Sequence, residues 1–479
     1  MLLIFQRNSV IGITILTVSL ALACAGAPRS ARRSDSHPLG ERAAALLSES
    51  IRIRTVSPPG NEKPLAQLLV NRMRESGLEA ELIETPRGSA SLGRAAAWGV
   101  LRGSGRGKPI VLLSHLDVVP ADPAEWGRDP FAGEVSQGYV NGRGALDAKG
   151  VAIVHLFTLT ELARRGVKLS RDVVLLATPD EEMGGVAGAG WLAHERRDLL
   201  LGAGYLLTEG GGVVANDERG SAWGIAVSEK SPCWLRVTAR GVPGHGAVPG
   251  RNAAVPRLIA GLDRVRQLET PLRVVPEVAA MFRSMVQRAP PGDEAAYANL
   301  AGALASDAAF RERFLAQPAN AALVRDTLAI TVLHGSEATN MIPAVASADL
   351  DARLLPGETC ESFSAQIERT LADPGLSVDV LLTFHTQTTT PDTALYRAIA
   401  QVAKTTDPRA LVVPRVNAGF SDAHYFRELG LTAYGFVPRW LHPDDTRGIH
   451  GPDERISIEN LERGIETQIR ILEQLDREE

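Results

Sequence analysis

Acidic residues and histidines follow the ends of several apolar runs in this sequence. The stretches that show this are "PIVLLSHLD" (109–117), "ATPDEEMGG" (177–185) and "GYLLTE" (204–209). In the second stretch the neighbouring carboxylates of Asp180, Glu181 and Glu182 repel one another and lose hydration, unless a cation or a shared proton compensates. The pattern therefore predicts that either a bound cation or a shared proton compensates this acidic turn.

The candidate ligands follow predicted strands, and ligands of open α/β sheets collect at the carboxyl ends of strands. A lone acid there is often a helix cap, and Asp147 could be one. Imidazoles and carboxylates together are ligands for Zn²⁺, and a bridging carboxylate could serve two ions. Their recurrence at successive strand ends favours a metal centre. The candidates are His115, Asp117, Asp147, Glu181, Glu182, Glu209 and His450.

The elements that must position these residues form an alternating pattern. Continuous apolar runs separated by helical segments predict an α/β domain with a mixed, largely parallel sheet flanked by helices. This domain comprises residues 41–227 and 389–479. The first part contains predicted helices at 40–53, 62–77, 147–165 and 187–201, and predicted strands at 79–84, 95–103, 109–117, 172–178 and 204–209.

A second domain, 228–388, is inserted into the first. Alternating strands and two helices in the order β-α-β-β-α-β predict a ferredoxin-like α+β unit covered by helices on one face. An Ala-rich segment at about 271–326 is predicted to be a helical insertion within it. The predicted elements are strand 232–241, helix 252–268, strands 327–335 and 346–356, helix 358–372 and strand 376–385.

Six ordered motifs resemble those of one family of di-zinc metallopeptidases, which includes glutamate carboxypeptidase, aminoacylase, acetylornithine deacetylase and succinyl-diaminopimelate desuccinylase. The resemblance runs from about residue 45 to the C-terminus, and the insertion at 271–326 resembles the carboxypeptidase S and N-fatty-acyl-amino-acid hydrolase branch. It implies a catalytic zinc domain, an inserted lid or dimerisation domain and two Zn²⁺ per subunit, which Co²⁺ or Mn²⁺ could replace. The motifs are "SHLDVVP", "GRGALDAKG", "ATPDEEMGG", "LLTEGG", "GHGAVP" and "IHGPDE".

Carried over by position, the resemblance implies that Asp147 bridges two zinc ions. His115 and Glu209 would complete the shell of one ion. Glu182 and His450 would complete the shell of the other.

Two further residues receive roles from the same resemblance. Asp117 would accept the second ring N–H of His115 and fix its tautomer. Glu181 would be the general base, taking a proton from the attacking water and delivering it to the leaving amine. His442 is a rival for the position of His450, but His450 fits the family motif better.

The inserted domain is expected to complete the site. His245 lies between glycines, and in relatives the matching residue reaches a neighbouring active site across a dimer and helps to hold the oxyanion. A homodimer is therefore expected. By the same resemblance Asn340 and Arg353 contact the substrate, where the Arg353 guanidinium suits a free carboxylate, and the backbone of Gly419 lies against it.

The N-terminus has the pattern of an export signal. Residues 1–23 form an apolar stretch of signal-peptide length, followed by Cys24 and a polar tether, 24–40. This resembles a bacterial lipoprotein signal with membrane attachment through lipidated Cys24, although plain Ala-x-Ala cleavage stays open. The predicted location is the periplasm or the outer membrane of a bacterium. Cys233 and Cys360 could form a disulfide or remain isolated thiols.

Composition narrows the function further. The chain of 479 residues has a formal charge of -5 and no Lys/Arg block, so no nucleic-acid partner is expected. We expect an exported zinc-dependent metallopeptidase or amidohydrolase that cleaves an amide next to a free carboxylate, in a small peptide or an N-acyl, or fatty-acyl, amino acid. A peptide-binding protein without catalysis is a remote alternative, since ligand and base positions hold competent residues. No G-x-S-x-G motif supports a serine hydrolase.

Overall fold

The computed structural model describes residues 38–86, 93–214, 219–441 and 445–478. The predicted signal peptide, Cys24, most of the tether and His442 lie outside these residues. The first helix begins at Pro38, so the last residues assigned to the tether are helical. Within the described ranges, no helix combines the length and apolarity needed to cross a bilayer.

The structure alternates helices and strands as the apolar pattern predicts. The strands are β1 (Glu79–Glu84), β2 (Ala95–Leu101), β3 (Ile110–His115), β4 (Glu134–Ser136), β5 (Tyr139–Asn141), β6 (Val173–Thr178), β7 (Tyr205–Thr208), β8 (Gly212–Val214), β9 (Ala222–Glu229), β10 (Ser231–Arg240), β11 (Gly244–His245), β12 (Thr327–His334), β13 (Met341–Ile342), β14 (Val345–Leu354), β15 (Leu376–Thr383), β16 (Leu411–Asn417), β17 (Thr432–Gly435), β18 (Trp440–Leu441) and β19 (Arg455–Ser457). The helices are α1 (Pro38–Arg52), α2 (Lys63–Glu75), α3 (Pro123–Trp126), α4 (Lys149–Arg164), α5 (Trp191–Glu195), α6 (Ala254–Arg266), α7 (Pro276–Ser284), α8 (Glu294–Ala298), α9 (Leu300–Ser306), α10 (Ala308–Leu315), α11 (Pro318–Leu323), α12 (Cys360–Leu371), α13 (Ala394–Thr406), α14 (Ala423–Glu428) and α15 (Ile458–Glu478).

The largest sheet has the strand order β1-β2-β6-β3-β7-β17-β9-β8-β18, with β16 beside β9. Its centre, β6-β3-β7-β17, is parallel, and antiparallel strands flank it. The predicted mixed, largely parallel sheet flanked by helices is confirmed. Because β3, β6 and β7 are parallel, their carboxyl ends meet at one edge of the sheet.

Helices bury both faces of this sheet. Alternate residues of β3 point to opposite sides, so Ile110 and Leu112 pack with α1, α2, α4, α13 and α15, whereas Val111 and Leu113 pack with α5 and α14. This explains why the central strands read as continuous apolar runs. The α4 helix is buried on nearly every side, so it lacks a polar face.

The prediction of one continuous helix over 187–201 is wrong. The segment divides into a short π-helical turn at Val186–Gly190, α5, and a 3₁₀ turn at Arg197–Leu200. Gly188 has non-helical angles, φ -115 and ψ -109. A Cβ there would lie 1.7 Å from the carbonyl oxygen of Pro179, so the chain folds back on the acidic turn more closely than a regular helix permits.

The inserted segment forms a separate antiparallel sheet in the order β12-β14-β10-β15. The α6 and α12 helices pack on one face of it around a core that includes Leu235, Leu350 and Ile367. This is the strand order that a ferredoxin-like β-α-β-β-α-β unit produces. Cys233 on β10 and Cys360 on α12 form a disulfide with a Cα–Cα distance of 5.2 Å, which resolves the alternative left open by the sequence.

The Ala-rich insertion is helical and has its own core. Phe282, Phe310 and Phe314 lie in that core. The α7 helix packs along β16, a strand of the large sheet. The insertion therefore joins the rest of the inserted domain (the lid, 228–388) to the domain formed by 41–227 and 389–479 (the catalytic domain).

Candidate metal centre and active site

Asp147 lies at the centre of a cluster of histidines and carboxylates. Its Oδ1 is 3.0 Å from Nε2 of His115, and its Oδ2 is 3.1 Å from Nε2 of His450. Each carboxylate oxygen thus faces a different imidazole. This is the arrangement expected of a carboxylate that bridges two metal ions. The residue precedes α4, and the peptide bond from Asp147 to Ala148 is cis.

The remaining candidate ligands complete two groups around Asp147. Oε1 of Glu209, after β7, lies 3.4 Å from Nε2 of His115. Oε2 of Glu182 lies 3.3 Å from Nε2 of His450. The two sets His115–Asp147–Glu209 and Asp147–Glu182–His450 each offer ligand atoms within 4.8 Å of one another. These are the two sets that the resemblance implies.

Asp117 positions its neighbours differently from the expectation. The ring Nδ1 of His115 lies 2.9 Å from the backbone carbonyl oxygen of Asp117, whereas the carboxylate is at 3.6 Å. That carboxylate instead accepts hydrogen bonds of 3.1 Å from the backbone N–H groups of Glu181 and Glu182. Asp117 therefore orients the imidazole through its main chain and the acidic turn through its side chain.

Glu181 lies beside the ligand groups. It is buried, and its Oε2 is 4.0 Å from Nε2 of His115. Burial, followed by the charges of Glu209, Glu182 and Asp422, raises the pKa of Glu181 well above its usual value despite the opposing charge of His115. A buried carboxylate with a raised pKa next to a metal centre suits a group that accepts and later returns a proton.

The same cluster shows why a cation fits. Burial raises the pKa of both Glu182 and Glu209, and the buried Oε1 of Glu182 has no hydrogen-bond partner among the described residues. Hydrogen bonds to Asp147 and Glu182 raise the pKa of His450 to about 10. Bound cations would compensate these carboxylates and occupy the unpartnered oxygen, so the residues present fit a metal centre of imidazole and carboxylate ligands.

Glu454 is a supporting residue that the sequence analysis did not single out. Its fully buried carboxylate accepts hydrogen bonds from the backbone N–H groups of Gly144, Leu146 and Asp147, at 2.7 to 3.0 Å, and pairs with Arg143 at 2.7 Å. It thereby holds the loop that presents Asp147. The only local signal was its place at the end of the "IHGPDE" motif.

Asp422 is a second residue that sequence reasoning missed. It is buried and accepts a hydrogen bond of 3.1 Å from the hydroxyl of Thr178, at the end of β6. A Cβ on Gly185, which has a φ of +70, would lie 2.1 Å from its Oδ1. Asp422 therefore packs directly against the acidic turn, beside the end of β6.

His245 and Asn340 lie together on the exposed surface of the inserted domain. His245 pairs with Met341 across the short β11–β13 ladder, and Gly246 N–H donates to the carbonyl of Asn340 at 2.8 Å. Both residues are exposed. Neither contributes to the metal-ligand groups of its own chain that the described residues form.

The substrate role predicted for Arg353 meets a competing contact. Its guanidinium pairs with Asp351 through Nε at 2.6 Å and Nη2 at 3.0 Å, and lies 4.7 Å from the ring centre of Phe420. Asp351 is half-buried and also accepts a hydrogen bond of 2.9 Å from Nε1 of Trp234. The neighbouring Asp349 pairs with Arg236 at 2.7 Å.

Gly419 precedes the aromatic Phe420, and its N–H donates a hydrogen bond of 3.3 Å to Oδ1 of Asn417. Phe420 belongs to a group of rings in which His424 stacks on Phe384, with centroids 3.5 Å apart. Among the described residues neither ring nitrogen of His424 has a hydrogen-bond partner, although Nδ1 lies 3.9 Å from Oε1 of Glu428, and burial lowers its pKa to about 3. His424 is therefore a neutral ring packed among these aromatic side chains.

Two imidazoles, a carboxylate between them and a buried acid lie at the carboxyl edge of a largely parallel sheet, in a chain that also has an inserted antiparallel sheet. This combination defines a metallohydrolase. The chain belongs to peptidase family M20/M25/M40, whose model matches residues 111–474. The predicted family is thus confirmed, and the protein is a metal-dependent peptidase or amidohydrolase.

Named relatives agree with this assignment. The chain is 31% identical over 375 residues to N-fatty-acyl-amino acid synthase/hydrolase PM20D1 of Xenopus tropicalis, covering 77% of this chain and 72% of the relative. It is 28% identical over 447 residues to human aminoacylase-1, covering 91% and 95%. The M20 metallo-carboxypeptidase Sso-CP2 of Sulfolobus solfataricus shares the fold, with a TM-score of 0.70 and 19% identity over 91% of this chain and 99% of that structure.

Proposed function

We propose that the protein is a di-zinc amidohydrolase that cleaves an amide bond next to a free carboxylate. The observation that carries this proposal is Asp147, whose two oxygens face His115 and His450 while Glu181 lies buried beside them. When bound, the zinc ions would polarise the scissile carbonyl and lower the pKa of the attacking water.

The chain's own residues supply the proton transfers. Glu181 accepts a proton from the attacking water and passes it to the leaving nitrogen, a role that suits its buried carboxylate, 4.0 Å from Nε2 of His115. Asp117 holds Glu181 in place through its backbone N–H. Arg353 and Asn340 contact the substrate, and because Asp351 engages Nε and Nη2 of Arg353, a substrate carboxylate must bind the outer Nη1 or displace Asp351.

Two substrate classes fit the proposed reaction: small peptides with a free C-terminus, and N-acyl amino acids. Similarity to a solved metallo-carboxypeptidase is consistent with the first class through fold alone. Similarity to an N-fatty-acyl-amino acid synthase/hydrolase, at 31% identity, supports N-acyl amino acids as the alternative substrate class. The catalytic positions are all occupied by competent residues, which disfavours a binding protein without activity.

Hydrolysis assays on dipeptides and N-acyl amino acids test the proposal, with products identified by mass spectrometry. Glu181→Gln removes the base but keeps the size of the side chain, so we expect kcat to fall by about 10²–10⁴-fold with zinc content retained. Chelation should abolish turnover of the unaltered enzyme, and Zn²⁺, Co²⁺ or Mn²⁺ should restore it. Full turnover by the Glu181→Gln chain, or by exhaustively demetallated protein, would contradict the mechanism.

We also propose that the enzyme works as a homodimer in which His245 reaches the site of the partner subunit. Support comes from the surface around His245, where the large apolar side chains Val242, Val248, Met341 and Val345 are 43% to 77% exposed. A contiguous group of exposed apolar residues is typical of an interaction surface.

Export as a lipoprotein is a further proposal. The apolar segment before Cys24 supports it, and so does the Cys233–Cys360 disulfide, since disulfides persist mainly in oxidising compartments. Expression of the full chain in bacteria with a labelled fatty acid should label the wild type and not Cys24→Ala. Equal labelling of both chains, or recovery of both in the cytoplasm, would refute it.

A further inference from the structure

Arg94, immediately before β2, is a buried cation that belongs to neither ligand group. Only 5% of the residue is exposed. Its Nη1 lies 2.9 Å from Oδ1 of Asp180 and 3.4 Å from Oε1 of Glu62. Its Nη2 donates to the hydroxyl of Ser57 at 3.0 Å. One guanidinium therefore connects the start of the catalytic domain to the first acid of the acidic turn.

Asp180 has a backbone conformation that needs such support. Its φ is +79, in the left-handed region that non-glycine residues rarely occupy. Its carboxylate is held on both sides, by Arg94 at Oδ1 and by the Ala187 N–H at 2.7 Å on Oδ2. The Asp180 carbonyl also accepts a hydrogen bond of 2.8 Å from the N–H of Gly185.

The left-handed residue determines where the next two acids point. Directly after it, the N–H groups of Glu181 and Glu182 meet the carboxylate of Asp117. Two contacts therefore hold the turn. The carboxylate of Asp117 accepts hydrogen bonds from its N–H groups, and Arg94 forms an ion pair with the side chain of Asp180. Removal of Arg94 would leave the buried carboxylate of Asp180 without its cation, and the turn would have to shift to hydrate it, which would move the carboxylate of Glu181.

We infer that Arg94 is a positioning residue for the general base, acting through the left-handed turn at Asp180. This inference rests on the proposed role of Glu181. Among the described residues, the polar contacts of Arg94 are with Asp180, Glu62, Ser57 and the carbonyl of Pro59, and none of these is a proposed metal ligand. An arginine suits the task because its planar fork can hold Asp180, Glu62 and Ser57 at once, whereas a lysine offers one point charge.

The test compares Arg94→Met and Arg94→Lys with the wild type in the zinc-loaded full chain. Arg94→Met should lower kcat by about 10–100-fold, because displacement of a catalytic group by about 1 Å costs that much. KM should stay within about threefold because the substrate contacts are kept, and saturating zinc keeps both ligand groups occupied even where a shift of Glu182 weakens one of them. Arg94→Lys should lie between the two.

Arg171→Met is the matched control for lost stability. Arg171 is also buried, but it precedes β6, at the strand end opposite the acidic turn. We expect a lowered Tm with kcat within about twofold of the wild type. A loss of kcat in Arg171→Met equal to that in Arg94→Met would mean that general destabilisation explains both, and would overturn the inference.

A second-site substitution gives a positive test. In Arg94→Met/Asp180→Gly, glycine adopts the left-handed conformation without strain, and the carboxylate left without its cation is removed. We expect kcat to recover at least about tenfold relative to Arg94→Met. A role of Arg94 confined to its contacts with Glu62 and Ser57 would give no recovery, because those contacts remain absent.

The result distinguishes this inference from the proposed function. If Glu181→Gln is inactive while Arg94→Met keeps the wild-type kcat, only the inference about Arg94 is wrong. If Glu181→Gln keeps full activity, both are wrong, since Arg94 is proposed to act through that base.

Discussion

Adjacent acids in the acidic turn have separate tasks because each meets different partners. Asp180 pairs with Arg94, Glu181 points toward His115, and Glu182 points toward His450. Their proximity is tolerable because two imidazoles, one guanidinium and the N–H groups of the turn offset part of the negative charge. The unpartnered oxygen of Glu182 marks where this compensation is incomplete without a metal ion.

The first prediction concerns Glu454, whose carboxylate holds the Asp147 loop through three backbone N–H groups and Arg143. Glu454→Gln replaces one acceptor oxygen with a donor that faces other donors. We expect zinc affinity and kcat/KM to fall about 10–100-fold, the usual cost of losing a group that supports a ligand. Competition with a chromophoric chelator measures the affinity.

Glu459→Gln is a control for this substitution, since Glu459 is an exposed acid on the nearby α15 helix. It should change neither quantity. Unaltered zinc affinity in Glu454→Gln would show that Asp147 is positioned without this carboxylate.

The second prediction concerns His155, which is buried in α4, where neither ring nitrogen has a hydrogen-bond partner within the described part of the chain. Burial, and then the charge of Arg439, lower its pKa from 6.5 to about 3. Between these values the unfolded chain binds a proton that the folded chain does not, so the free energy of unfolding falls as pH falls from 6.5 toward 3. The slope from this residue is at most about 1.4 kcal/mol per pH unit.

Urea unfolding of the metal-free chain at several pH values tests this. On acidification the free energy of unfolding should fall less for His155→Leu than for the wild type. The free energy of unfolding of His155→Leu minus that of the wild type should therefore increase as pH decreases. The exposed His194→Gln serves as a control and should follow the wild type. Parallel curves for His155→Leu and the wild type would rule out a buried neutral imidazole.

At the scale of elements, glycines and buried polar groups shape the segment after β6. A regular helix from 187 would collide with the returning chain, and Gly188 permits the close approach to Pro179 instead. The parallel strands β3, β6 and β7 bring the residues that follow them to one edge of the sheet. This is why ligands far apart in sequence converge.

The third prediction concerns the disulfide that joins β10 to α12 within the lid, across a separation of 127 residues. Cys233→Ala/Cys360→Ala should lower the stability of the lid by about 2–5 kcal/mol, because the crosslink restricts the unfolded chain. Calorimetry should show a lower Tm for the lid transition. Reductant should have the same effect on the wild type and none on the double variant; a wild type insensitive to reductant would contradict the assignment.

At the scale of the whole molecule, the lid and the catalytic domain are linked by buried charges at their junction. Glu229 ends β9 and pairs with Arg427 of the catalytic domain at 2.9 Å, whereas Lys230 donates to the carbonyls of Ala322 and Arg325 near the end of the helical insertion. Glu229 thus contacts the catalytic domain, whereas the adjacent Lys230 contacts the helical insertion.

The fourth prediction follows from the proposed dimer. A His245→Ala chain and a Glu181→Gln chain are each inactive, but a mixed dimer contains one intact site, formed by Glu181 of the first chain and His245 of the second. Statistical exchange should therefore restore about a quarter of the wild-type activity, half of the dimers having one of two sites.

Mixing His245→Ala with His245→Ala/Glu181→Gln is the control and should restore nothing, because no site can contain both groups. The absence of recovery in the first mixture, with subunit exchange verified by native mass spectrometry, would exclude a shared site.

The sequence by itself determined the fold class, the family and the convergence of ligands at one sheet edge. Apolar runs, strand-end acids and motif spacing are local signals, and parallel strand ends must meet at one edge. The order of the lid strands also followed from its β-α-β-β-α-β pattern.

Only the tertiary structure decided the supporting contacts. Glu454 lies 307 positions from Asp147, Arg94 lies far from Asp180 in sequence, and Cys233 had no local reason to pair with Cys360. The carboxylate of Asp117, which was expected to accept the ring N–H of His115, instead accepts hydrogen bonds from the backbone of the acidic turn. Such contacts depend on how buried polar groups find partners after packing, and nothing in their local spacing specifies which partner is reached.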